Sequence, residues 1–204
     1  MLLPDELTPN LLSALIGGAL VVAGVVVVLL EQRGRHVAVR IKAKRDFFRE
    51  LAWVAQYGQG VCVATAIALV WAIDAGRRWS GSIYVLACVA ATWLVAYTLK
   101  RAAGRVRPDR KKNGVTPGAF LGPAWRSASW RESFPSSHAA TAVALSGSLA
   151  TLYPQAALVF WILAAATALL RWLLEAHWLG DVLVGVGVGL LATAAVTRIG
   201  EAIT

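Results

Sequence analysis

A few polar residues in an otherwise oily chain have the types and spacing to handle an anion. Lys100 is followed, after six residues, by Arg107-Pro108; Pro135-Ser136-Ser137-His138 forms a second group; Arg171, five residues, His177, three residues and Asp181 form a third. Lys100, Arg107 and Arg171 would repel one another in a partly dry site unless an anion lay between them. Phosphate answers that need: Arg offers a planar fork to its oxygens and Lys a point charge. The Pro135-Ser136-Ser137-His138 turn, at a helix start, adds unpaired backbone N–H groups and a favourable dipole, and Ser136 adds a hydroxyl. His177 and Asp181 stand i, i+4, so on one helical turn the carboxylate can hold one ring nitrogen protonated and leave the other lone pair to attack. His138 is then the candidate general acid for an alkoxide leaving group.

Each cluster alone has a plainer reading. Lys100 and Arg107 could be ordinary charges flanking a membrane span, and Pro135-Ser136-Ser137 a capping turn. Arg171 could pair with Glu175 at i+4. His36, in a basic stretch, reads as an interfacial polar residue. The order of the clusters, and their return to one membrane face, are what make them one site.

The elements that must position them are apolar. Of 204 residues 58% are hydrophobic, and the mean hydropathy is +0.62, above soluble-protein norms. A helical span needs about 20 apolar residues. That measure predicts an all-α polytopic membrane protein with six spans: Leu11 to Leu30, Leu51 to Ile73, Gly81 to Leu99, Ala139 to Tyr153, Gln155 to Leu174 and Leu179 to Thr197. The first is longer than a signal-peptide core and lacks a preceding basic stretch, so it is expected to be retained. One domain is expected over 1–204, with its core in 51–199, a basic connector at 31–50 and an active-site loop at 100–138. The connector, with Val37, Ile41, Phe47, Phe48 and Leu51 among its cations, suits an interfacial helix between the first two spans. Small residues crowd the fourth and sixth spans, which are expected to pack centrally. Cys62 and Cys88 fall in apolar runs and indicate neither a disulfide framework nor a metal site.

Alternating spans bring the clusters together. Lys100 and Arg107 leave the third span where His138 enters the fourth, and the fourth and fifth make a return excursion that turns at Pro154. Each leg covers roughly 24 to 26 Å at 1.5 Å per residue, short of the ~30 Å hydrocarbon thickness, so the site is expected to be sunk below the headgroups.

These residues resemble the three-part signature of the type 2 phosphatidic acid phosphatase superfamily: Lys, six residues, Arg-Pro; Pro-Ser-Gly-His; and Ser-Arg, five residues, His, three residues, Asp. The match falls on Lys100, Arg107, Pro108, Pro135, Ser136, His138, Arg171, His177 and Asp181. The resemblance covers about residues 51–199 and implies the six-span fold of the family's membrane branch. It also implies that His177 attacks phosphorus to form a phosphohistidine, Asp181 orients it, and His138 protonates the leaving oxygen. Lys100, Arg107, Ser136, Ser137 and Arg171 would hold the phosphate oxygens, with no metal and no other cofactor. Two positions depart. Ser137 stands where the family usually has Gly, which could tighten the phosphate cradle, and Leu170 replaces a serine.

The reading is therefore a metal-independent phosphatase of a membrane lipid, hydrolysing a phosphomonoester or diphosphate of phosphatidic acid, phosphatidylglycerol phosphate, polyprenyl or lipid A type. A catalytically silent member that binds or carries anionic lipid is the alternative. A small-anion transporter fits poorly, because no charge marks the middle of the spans. The formal charge of +9 fits anionic headgroups rather than nucleic acid. Phe120, Leu121, Trp125 and Trp130 are candidates for lipid contact or interfacial anchoring. The catalytic side carries 17 Lys and Arg against three opposite, so the positive-inside rule puts the site on the cytoplasmic face of a bacterial plasma membrane. The family habit favours the outer face.

Overall fold

The computed structural model describes residues 9–34, 45–108, 114–123 and 128–203, with side chains left aside at 45–48 and 203. Seven α-helices carry the described chain: α1 (Pro9–Gln32), α2 (Arg45–Val54), α3 (Gly60–Ile73), α4 (Arg78–Ala103), α5 (Ser137–Leu152), α6 (Ala157–Leu173) and α7 (Leu179–Ile203). Beyond the helices, the described residues hold one isolated antiparallel bridge, Arg105 with Phe120. Four helical stretches are long and apolar enough to cross a membrane: Pro9–Gln32, Arg78–Ala103, Pro154–Leu173 and Leu179–Ala202. The expected all-helical membrane architecture is present.

The predicted span Leu51 to Ile73 is a correction. It is two helices, α2 and α3, separated by turns over 55–59. Packing supplies the reason: a Cβ on Gly58 would lie 2.1 Å from the His138 carbonyl oxygen, so the chain passes flat against the start of α5 at this point. Of the basic connector, residues 35–44 lie outside the described residues, as do His36, Val37 and Ile41.

Small residues set the core. Almost all of α5 is buried, from Ala139 through Leu149, and α7 lies against it. A Cβ on Gly185 or Gly189 would come within 2.5 Å of a backbone oxygen of Ser136 or Ala140. Without side chains at these points the two backbones approach as the expected central pair. The other side of α7 packs on α1, where Gly24 and Gly180 allow contact with Val184 and Val28. Apolar side chains such as Leu158, Ile162, Val61 and Leu94 point outward, as lipid-facing positions do when the surrounding solvent is hydrocarbon.

Candidate active site

Four helix ends meet at one end of the bundle. Helix α4 stops at Gly104, whose left-handed backbone (φ 58°) lets its N–H bond the Lys100 carbonyl at 3.2 Å. This C-cap leaves Lys100 and Arg101 in the last turn, where cations are favoured. Helix α6 ends with Glu175 at φ 55°, and the His177 N–H then returns to the Arg171 carbonyl at 3.1 Å. Helices α5 and α7 begin here and are joined directly, Ser136 N–H donating to the Asp181 carbonyl at 3.0 Å.

His177 is 1% exposed. Its Nδ1 lies 2.7 Å from the Ser133 carbonyl oxygen, which can only accept, so Nδ1 carries the proton and Nε2 the lone pair. That Nε2 is buried and has no hydrogen-bond partner among the described residues. The expected direct bond from Asp181 is not formed: its Oδ2 stands 3.9 Å from Nδ1. The carboxylate instead accepts from the Ser133 hydroxyl, in a very short contact, from Trp178 N–H at 3.1 Å and from Arg105 Nη1 at 2.5 Å. Asp181 therefore reaches the nucleophile through Ser133, which holds the carboxylate with its hydroxyl and the imidazole with its carbonyl. Burial, reinforced by the nearby Arg107 and Lys100 charges and opposed by Asp181, lowers the His177 pKa to about 3. The ring is neutral at physiological pH.

The other expected residues gather around it. Lys100 Nζ donates to the Glu132 carbonyl at 2.9 Å and Arg107 Nη1 to the Ala176 carbonyl at 3.1 Å. Lys100, Arg107 and Arg171 all act electrostatically on His138, and Arg107 and Arg171 both act on Lys100. Ser136 occupies the N-cap position of α5, yet its side chain makes no capping bond. Its Oγ is buried with no partner among the described residues, so the plain capping reading fails. Ser137 and His138 line a groove of about 670 Å³ between α3, α4 and α5, walled by Val61, Leu86, Val89 and Trp93.

Three residues of this end were not among the expected ones. Arg105 is fully buried, donating to Asp181 and, at 2.9 Å, to Glu31 Oε2. Glu31, 2% exposed at the end of α1, also accepts from Gly180 N–H at 3.3 Å. Ser133 is the third. Glu31 thus stands as a second acid beside Asp181, both bonded to Arg105. Of the loop residues expected to contact lipid, Phe120 turns inward onto Arg105 (5.2 Å) and Phe134 (5.8 Å between centroids), while Leu121 is exposed and Trp125 lies outside the described residues.

The bundle thus gathers at one end several cations, an imidazole nitrogen with no partner among the described residues, and a helix start without a side-chain cap. The sequence profile of the PAP2 superfamily matches residues 81–204, and the chain belongs to that superfamily. It is 34% identical over 111 residues to a lipid A 1-phosphatase of Rhizobium johnstonii and 33% identical over 111 residues to one of Rhizobium etli, in each case over 54% of this chain. Those alignments span 44% and 46% of the relatives, so the chain spans less than half of their length. Among solved structures it is similar to the first transmembrane PAP2 type phosphatidylglycerolphosphate phosphatase from Bacillus subtilis, with TM-score 0.62 and 19% identity over 96% of this chain and 94% of that one. It is also similar to Aquifex aeolicus LpxE, with TM-score 0.60 and 16% identity over 97% and 99%. At these identities the likeness establishes the fold: a multi-pass helical membrane protein.

Proposed function

We propose that the protein is a metal-independent membrane lipid phosphatase acting through a phosphohistidine. The observation that carries this is the His177 ring: neutral, with Nδ1–H held by Ser133, and Nε2 buried without a partner among the described residues at the cationic end of the bundle. Nε2 attacks phosphorus, the bond to the lipid oxygen breaks, and His138, protonated when the bound phosphate offsets the cations around it, gives that oxygen its proton. Water, giving a proton back to His138, then cleaves the phosphorus–nitrogen bond, returning His177 and releasing phosphate. Lys100, Arg107, Ser136, Ser137 and Arg171 hold the phosphoryl oxygens as charge builds, while Asp181 supports the ring through Ser133.

Six crossings complete the topology in this reading. Helices α3 and α5, at 14 and 16 residues, give short legs of roughly 21 and 24 Å, and α2 lies at the interface. The phosphate site then sits below the headgroups, which suits a phosphate on an amphiphile. We rank phosphorylated lipid A first among candidate substrates, ahead of phosphatidylglycerol phosphate, phosphatidic acid and polyprenyl phosphates, a ranking that similarity to the two lipid A 1-phosphatases supports. The charge bias puts the site on the cytoplasmic face of a bacterial plasma membrane. Cysteine labelling at position 49 in sealed vesicles tests this; protection from outside reagents is expected.

The decisive experiment is phosphate release from that lipid panel with a chelator present. Release is expected from at least one lipid and should vanish in His177→Ala. No release from any, or undiminished release by His177→Ala, overturns the mechanism.

A further inference from the structure

The Lys100–Arg107 stretch carries two buried or half-buried arginines two residues apart with opposite partners. Arg107 reaches the carbonyl before His177. Arg105 points the other way, into a closed group: Nη1 to Asp181 Oδ1 at 2.5 Å, Nη2 to Glu31 Oε2 at 2.9 Å, Nε to the Gly118 carbonyl at 3.2 Å. The rings of Phe120 and Trp178 lie against it, with centroids at 5.2 and 5.5 Å. Every edge of the guanidinium is engaged away from the phosphate-binding cations, and Glu31 and Asp181 flank it with relative exposures of 2% and 0%.

We infer that Glu31 and Arg105 are positioning residues for the nucleophile, forming with Asp181 a buried chain of alternating charges that closes on His177 through Ser133. The inference rests on the proposed role of His177. Asp181 accepts from three groups at once, which requires the carboxylate ionised. An ionised carboxylate beside an imidazole, unbalanced, draws a proton onto the ring and removes the lone pair. Arg105 balances it, and Glu31 keeps Arg105 turned towards Asp181 rather than towards the phosphate. Glu31 also takes the Gly180 N–H, one of the unpaired donors at the start of α7, and so fixes the turn that carries His177. Among the described residues, the charges that act on His177 include Asp181 from α7, Lys100 from α4 and Arg107 from the loop behind it, with Arg105 acting through Asp181. Helix α1, outside the residues matched by the family profile, becomes part of the catalytic framework.

The test reads the ring itself. The full-length protein labelled with ¹⁵N-histidine in detergent micelles gives imidazole nitrogen shifts for its three histidines, with His177 assigned by its loss in His177→Gln. The wild type is expected to show a neutral Nδ1–H ring from pH 8 to 5. In Arg105→Met the His177 midpoint should rise by at least one pH unit, the uncompensated carboxylates favouring imidazolium, and Glu31→Gln added to Arg105→Met should lower it again. An Arg105→Met protein that folds with an unchanged midpoint and tautomer overturns the inference. If Arg105→Met does not fold, Glu31→Gln and Gly180→Ala carry the test. A Cβ on Gly180 would lie 2.5 Å from Val28 Cγ2 and 3.0 Å from both Glu31 Oε2 and the Gly24 carbonyl oxygen, so it pushes α1, and Glu31 with it, off α7 without changing any charge. Both should lower kcat on dioleoyl phosphatidic acid or phosphorylated lipid A micelles by about tenfold or more with KM within about threefold, since a misplaced reacting group costs mainly the chemical step. Glu31→Asp should recover part of the loss; unchanged kcat and unchanged ring shifts in both variants count against the inference. Because the shifts are read without turnover, ring changes in a protein that releases no phosphate would leave this inference standing and the phosphatase reading fallen.

Discussion

At one end of the bundle Asp74 accepts from Tyr153 OH at 3.1 Å and from Arg77 N–H at 3.0 Å, while the exposed Arg77 side chain bonds the Leu152 carbonyl at 2.7 Å. At the other, Glu31, Arg105 and Asp181 form two ion pairs with every side chain 1% exposed or less. The same residue types do different work because their surroundings differ. Exposed polar contacts are easily replaced by water and contribute little. Buried charges cannot lose one partner without stranding the other. A site that must hold an imidazole neutral and aimed is built from the second kind.

Breaking this contrast should show it most sharply at His177. His177→Ala is expected to lower phosphate release by more than about a thousandfold, as loss of a covalent nucleophile does, whereas Asp74→Asn should stay within about twofold. Next comes Arg105→Met, expected to cost about 3 to 5 kcal/mol of unfolding free energy, against less than about 1 kcal/mol for Arg77→Met; denaturant titration in one detergent compares them. A third effect is the pH dependence of stability. His177 titrates at about 3 in the folded chain against 6.5 ordinarily. Below 6.5 the unfolded chain takes up a proton that the folded chain refuses. Its contribution is fully present above 6.5 and is lost as pH falls towards 3, by up to about 1.4 kcal/mol per pH unit. His177→Gln should flatten that slope. The smallest change is Ser137→Gly, expected to raise kcat by less than about tenfold by removing a Cβ from the start of α5.

Much of the site could be read from residue order. Lys100, Arg107, Ser136, His138, Arg171, His177 and Asp181 announce themselves by type and spacing, and counting spans brings them to one end. Glu31 could not be read this way. It lies 74 residues from Arg105 and 149 from Gly180, and looks like the first polar residue after an apolar run. What separates it from an ordinary flank is the close packing of α1 on α7, a tertiary fact. Arg105 carried a weak signal, a further cation in a stretch that already had two anion-binding candidates. Ser133 carried almost none, since half of what it does is done by its backbone. The break in Leu51 to Ile73 was more visible than the prediction allowed. Gln56, Gly58, Gln59 and Gly60 form a polar, glycine-bearing interruption of the kind that marks turns, masked by the apolar residues on either side.

The pairing of Glu31 with Arg105 bears on how parts of such proteins can be exchanged. A graft of residues 81–204 alone would carry Lys100, Arg107, His138, Arg171 and His177, and would still separate Arg105 from Glu31. The first helix and Arg105 are joined by a buried ion pair and act as one structural unit. A chimera that respects the recognisable motifs but changes the first helix needs an acid in the register of Glu31, or a neutral residue at 105, to inherit a working nucleophile.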